Sequence, residues 1–93
     1  MPRIKYQCRY AIDGDEARRR LQQLMEEFGR KYGFKTSWVK NGTVDVRGRG
    51  VRGSMEVRDG QVSLDLDLSF LLSPFKSRIA DGIARKIEQA LLQ

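Results

Sequence analysis

There is no histidine in these 93 residues, and that absence removes the commonest general base and the commonest metal ligand together. Histidine-based triads are excluded. Cysteine occurs once, as Cys8, so the chain cannot form an internal disulfide, and no second thiol is there to complete a redox or metal site. Long apolar runs are missing as well. The longest stretch, around Ser69 to Phe75, is far too short to cross a bilayer, and the N-terminus lacks the apolar run of a signal peptide. The expected location is therefore the cytoplasm, where a lone thiol stays reduced. Linkers, repeats and low-complexity segments are also lacking. The chain reads as one domain over 1–93, burying roughly 60 to 65% of the surface its extended form exposes. A domain of that size has one core and little spare volume for a deep pocket.

What is present is a chain with 40% apolar residues spread along its length and a net charge of +6, a composition that folds. Ile4, Tyr6, Cys8 and Tyr10 alternate with Arg3, Lys5, Gln7 and Arg9, the period of a strand with its apolar set inward and its basic set outward. Asp13 with Glu16 three positions later has the form of a capping box. Ala17, Leu21, Leu24, Met25 and Phe28 then recur at helical spacing, predicting a helix from Asp13 to Tyr32 that stops at Gly33. Phe34 to Val39 reads as a strand, Asn41-Gly42 as a type I′ hairpin, and Thr43 to Gly48 as the returning strand. Gly48 and Gly50 mark a turn before the alternation of Val51, Gly53, Met55 and Val57. Asp59-Gly60 marks a further hairpin before Val62, Leu64, Leu66 and Leu68. Ser73-Pro74 has the form of a helix start, with Phe75, Ile79, Ile83, Ile87, Ala90 and Leu91 as the apolar stripe that follows. The predicted fold class is α+β in the order β-α-β-β-β-β-α. It consists of an antiparallel sheet with two helices packed on one face, resembling a reduced helix-grip fold. Leu24, Phe28, Leu64, Leu66, Ile83 and Ile87 should share one core.

Nothing in the sequence assembles a catalytic, cofactor-binding or metal site, so no enzyme activity is expected. Asp65 and Asp67 share a strand face and form the one carboxylate pair to weigh. Their placement suits solvated partners of Arg47, Arg52 or Arg58 better than an acid and base. The run Arg18-Arg19-Arg20 is laced by Glu16, as Arg30 and Lys31 are by Glu26 and Glu27, and it reads as a solvated helix face. The outward sheet cations are more suggestive. Arg3, Lys5, Arg47, Arg49, Arg52 and Arg58 are the candidate anion-binding residues, on a face that strand parity leaves without aromatic rings. Recognition of single-stranded nucleic acid normally adds exposed rings to the charge, so nucleic acid ranks behind a phosphate, lipid or acidic protein surface.

The segment Ser69-Phe70-Leu71-Leu72-Ser73-Pro74-Phe75-Lys76-Ser77-Arg78-Ile79, preceded by Trp38, Gly50 and Gly53 at fitting distances, resembles the polyhydroxyalkanoate (PHA) system family over nearly the whole chain. The family's recurring features are a Glu-Ala-Arg helix start, a tryptophan before a short hairpin, a Gly-x-x-Gly strand and a Leu-x-x-Pro-Leu-Lys-x-x-Ile helix start. They stand here as Glu16-Ala17-Arg18, Trp38, Gly50 to Gly53, and Leu71 to Ile79. Two features depart from the pattern: Phe75 replaces the usual leucine, and the histidine that many relatives carry near Tyr10 is absent. The resemblance implies a setting, PHA storage in a bacterial cytoplasm, and no reaction.

The expected role is accordingly a non-enzymatic accessory of the PHA granule system, cytoplasmic or granule-associated, whose partner is the granule surface or a granule-associated protein. Leu72, Phe75, Lys76 and Arg78 are the candidate partner-binding residues. Lys76 is the charge that fits worst, because it falls within the apolar stripe and in the first turn, where the helix dipole disfavours a cation. A polyanion-binding module using the basic sheet face is the alternative. A carrier of a small apolar ligand between sheet and helices comes third.

Overall fold

The computed structural model describes residues 2–40, 42–58 and 60–92. Five strands and two helices follow in the predicted order: β1 (Arg3–Arg9), α1 (Gly14–Tyr32), β2 (Lys35–Lys40), β3 (Thr43–Gly48), β4 (Val51–Arg58), β5 (Gln61–Leu68) and α2 (Lys76–Leu91). A 3₁₀ segment, Phe70–Phe75, leads into α2. All pairings are antiparallel, and the sheet order is β1-β5-β4-β3-β2. The last four strands form a meander. β1 instead closes on β5, so α1 must carry the chain from one edge of the sheet to the other.

Strand alternation decides which face is covered. In β5, Val62, Leu64, Leu66 and Leu68 are buried, while Ser63, Asp65 and Asp67 lie on the opposite face, as a period of two requires. Ile4, Val44, Val46, Met55 and Val57 join them, and Ala17, Leu21, Leu24, Met25, Ile87 and Leu91 cover them from the helices. Phe28 and Ile83 pack against this core while partly exposed. The aromatic residues Tyr6, Tyr10, Phe34 and Trp38 also pack on the covered side. Apart from the exposed Val39 on β2, the outer face is left to polar groups.

The helix ends depart in detail from their sequence signals. Asp13 caps α1 by accepting the Asp15 N–H at 3.0 Å, but Glu16 does not reach back to complete a box. Its carboxylate is held by Arg19 and, at 3.1 Å, by Arg20, because two guanidiniums one turn ahead offer stronger, charge-assisted bonds than one backbone N–H. Gly33 ends the helix as predicted, its N–H on the Gly29 carbonyl at 3.0 Å. Ser73 and Pro74 do not start α2: they lie inside the 3₁₀ segment, and no side chain caps the α-helix, which begins at Lys76. A proline with a preset φ suits a 3₁₀ turn as readily as a first helical turn. The expected turn residues Asn41 and Asp59 lie outside the described residues.

Candidate functional site: the amphipathic end of the sheet

The chain brings its 3₁₀ segment, the β3–β4 turn and the first turns of α2 to one end of the sheet. The Ser69 N–H donates to the Gly50 carbonyl at 2.9 Å, and the Leu72 N–H to the Ser69 carbonyl at 3.0 Å, which pins the segment to that turn. Leu72 faces inward and packs against the core. Phe70 and Leu71 face out, 78% and 85% exposed, and Phe75 is half exposed. Lys76 and Arg78 follow at once on α2, both exposed. Neither has a carboxylate within ion-pair distance among the described residues. Of the four partner-binding candidates, Phe75, Lys76 and Arg78 thus share an outward surface, whereas Leu72 anchors it from beneath. Phe70 was missed by the sequence reading. Consecutive apolar residues in a 3₁₀ turn cannot all face one core, but the turn itself is fixed by the bond to Gly50 and left no signal in the sequence.

The outer sheet face is more neutral than its cations alone imply. Arg3 stands 3.0 Å from Asp67 and 3.2 Å from Asp65. The expectation that these aspartates answer Arg47, Arg52 or Arg58 is therefore corrected in part: β1 closes against β5 and places Arg3 directly opposite Asp67, and of the three expected partners Arg52 alone stands opposite Asp67, from β4, without an ion pair. Arg47 lies 3.1 Å from Asp45, and Arg58 3.8 Å from Glu56, on their own strands. Among the anion-binding candidates on this face, Lys5 and Arg52 have no such partner among the described residues; Arg49, expected here too, stands instead on the β3–β4 turn and lines the cleft on the covered side. The Glu26 and Glu27 pairs expected with Arg30 and Lys31 do not form within 4.0 Å, whereas Arg20 does more than lace its helix. It donates to the Ala90 carbonyl at 3.0 Å, joining α1 to the last turn of α2, where free carbonyls favour a cation. Hydrogen bonds from Arg19, then from Arg20, hold the Glu16 carboxyl below its ordinary value.

Between the sheet, the C-terminal half of α1 and the N-terminal half of α2 lies a cleft of about 440 Å³. This corrects the expectation of little spare volume: α2 closes on the core through Ile87 and Leu91, while Ile79 and Ile83 remain partly exposed beside the opening. The walls are apolar, with Met25, Phe28, Val46, Leu66 and Ile83 among them, and Arg49, Arg78 and Lys86 complete the lining. Among the described residues no three acidic or cysteine side chains cluster to hold a metal, and no helix is long and apolar enough to cross a membrane.

Fold and site together define a small α+β domain that presents an apolar edge, flanked by cations, at one end of a five-stranded sheet. The chain belongs to the family described as "Putative polyhydroxyalkanoic acid system protein", whose pattern matches residues 4–91. No curated protein and no solved structure matches it.

Proposed function

We propose that the protein is a non-enzymatic accessory of polyhydroxyalkanoate storage that docks on the granule surface through its 3₁₀ edge. The observation that carries this reading is the outward pair Phe70 and Leu71, with Phe75, Lys76 and Arg78 beside them. Burying a phenylalanine or leucine side chain is worth about 1.5 to 3 kcal/mol, so water disfavours leaving two such residues open. An apolar surface carrying negative charge would take up both the rings and the cations. A polyester inclusion has the apolar surface, and one end of each hydroxy-acid chain is a carboxylate.

Co-sedimentation with isolated granules tests the reading, using native granules and granules stripped of protein by protease. The wild-type chain should pellet with both. The double variant Phe70→Ser/Leu71→Ser, altered only at exposed positions, should stay in the supernatant while keeping the wild-type melting temperature. Lys76→Met should weaken association without loss of stability. Pelleting with native granules alone would replace the surface by a granule-bound protein as the partner. Equal pelleting of the double variant would overturn the role of the 3₁₀ edge.

A further inference from the structure

The cleft supports an inference that does not depend on the granule reading. We propose that it binds a single-chain acyl ligand with an anionic head, such as a medium-chain carboxylic acid, with the chain between sheet and helices and the head at the cationic rim.

The first argument is shape and lining. A volume of about 440 Å³ lies within the usual range for small-molecule sites. At about 30 Å³ per heavy atom, close to the share of a water in the liquid, it accommodates on the order of 10 to 15 ligand atoms. Its accessible walls are Phe28, Phe34, Val51, Leu72, Ile79 and Ile83, each partly exposed, and Met55, Leu66 and Leu68 lie buried beneath them.

Charge supplies the second argument. Arg49, from the β3–β4 turn, and Arg78 and Lys86, from α2, line the same cleft. None of the three has a carboxylate within 4.0 Å among the described residues, in contrast to Arg3, Arg18, Arg19, Arg20, Arg47 and Arg58. An anionic head is the complement they lack. A neutral hydrocarbon would fill the walls and leave the rim unanswered.

Gly82 is the third. It lies inside α2, where glycine costs about 1 kcal/mol relative to alanine, and it lines the cleft. A Cβ built there meets nothing within 4 Å, so packing does not demand glycine. Gly82 is exposed, so the helix stands bare at the margin of the cleft, where a larger side chain has room to reach across it.

Calorimetric titration with decanoate below its micellar range, with 1-decanol and butyrate as comparators, tests the proposal. Decanoate should bind saturably at one site, and decanol and butyrate at least tenfold more weakly. Gly82→Leu, which puts a side chain into the opening, should weaken decanoate at least tenfold while raising the melting temperature. Arg78→Glu should weaken decanoate and leave decanol unchanged. Phe70→Ser/Leu71→Ser should bind decanoate as the wild type does even if it no longer pellets with granules, which separates this site from the docking edge. Absence of saturable decanoate binding, or unchanged affinity in Gly82→Leu, would overturn the site. Equal affinity for decanoate and decanol would overturn the anionic head.

Discussion

The Tyr6 hydroxyl donates a 2.7 Å hydrogen bond to Glu88 Oε2, tying the first strand to the last helix across 82 positions of sequence. Burial pushes the phenol above its ordinary value of 10.0, and the bond to Glu88 adds to the shift, since ionisation would place a second anion beside the carboxylate.

A pH dependence follows from that pair. In the unfolded chain Tyr6 loses its proton near its ordinary value, while in the folded chain it keeps it to higher pH. Its contribution is therefore complete below about pH 10 and declines as pH rises toward the folded value. Tyr6→Phe should lower stability at neutral pH by about 1 kcal/mol and lose less than the wild type on further alkalinisation. Urea unfolding at several pH values between about 8 and 11 measures both. Parallel pH profiles for the two proteins would show that the Glu88 tie does not couple to folding.

Gly53 gives a steric prediction. It pairs with Val46 on one side and Leu66 on the other, and a Cβ there would run into the Asp65 carbonyl oxygen and lie 2.8 Å from the Leu66 Cα. Backbone on a central strand cannot swing aside as a side-chain tip can. Gly53→Ala should cost on the order of 2 to 3 kcal/mol. Gly14→Ala, where the new methyl meets nothing within 4 Å, should change stability by less than about 0.5 kcal/mol. Similar melting temperatures for the two variants would contradict the close approach of β4 and β5.

The core predicts unequal losses. Leu66 is buried, and Leu66→Ala should cost about 2 to 5 kcal/mol. Ile83 is only partly buried beside the open cleft, so Ile83→Ala should cost less than half as much. Chemical denaturation with both variants checks the order. A larger loss at Ile83 would mean that the cleft closes in solution.

Much of this architecture was legible in one dimension. The alternation in β1, β4 and β5 marks which side chains are covered, and Gly33 marks where α1 stops, because these signals act over a few residues. The start of α2 was misread for the same reason. Ser73 and Pro74 satisfy the local chemistry of a helix cap and a first turn, yet the Ser69–Gly50 hydrogen bond fixes the segment in a 3₁₀ conformation before the helix begins. At the candidate site, Phe75, Lys76 and Arg78 were identified from their order in the chain. The outward turn of Phe70 and Leu71 and the inward turn of Leu72 depend on that anchoring.

The sequence by itself determined the order and type of the elements, the covered face of the sheet and the excess of positive charge, because periodicity, turn chemistry and composition are properties of neighbouring residues. Only the tertiary structure decided that β1 lies beside β5, which turns Arg3 into the partner of Asp65 and Asp67. It alone decided that Arg20 reaches Ala90, and that α2 leaves a cleft with Arg49, Arg78 and Lys86 on its lining. These relations join residues up to 70 positions apart. They arise from how two helices and a twisted sheet share one apolar surface, and no local signal encodes which distant side chains that packing brings together.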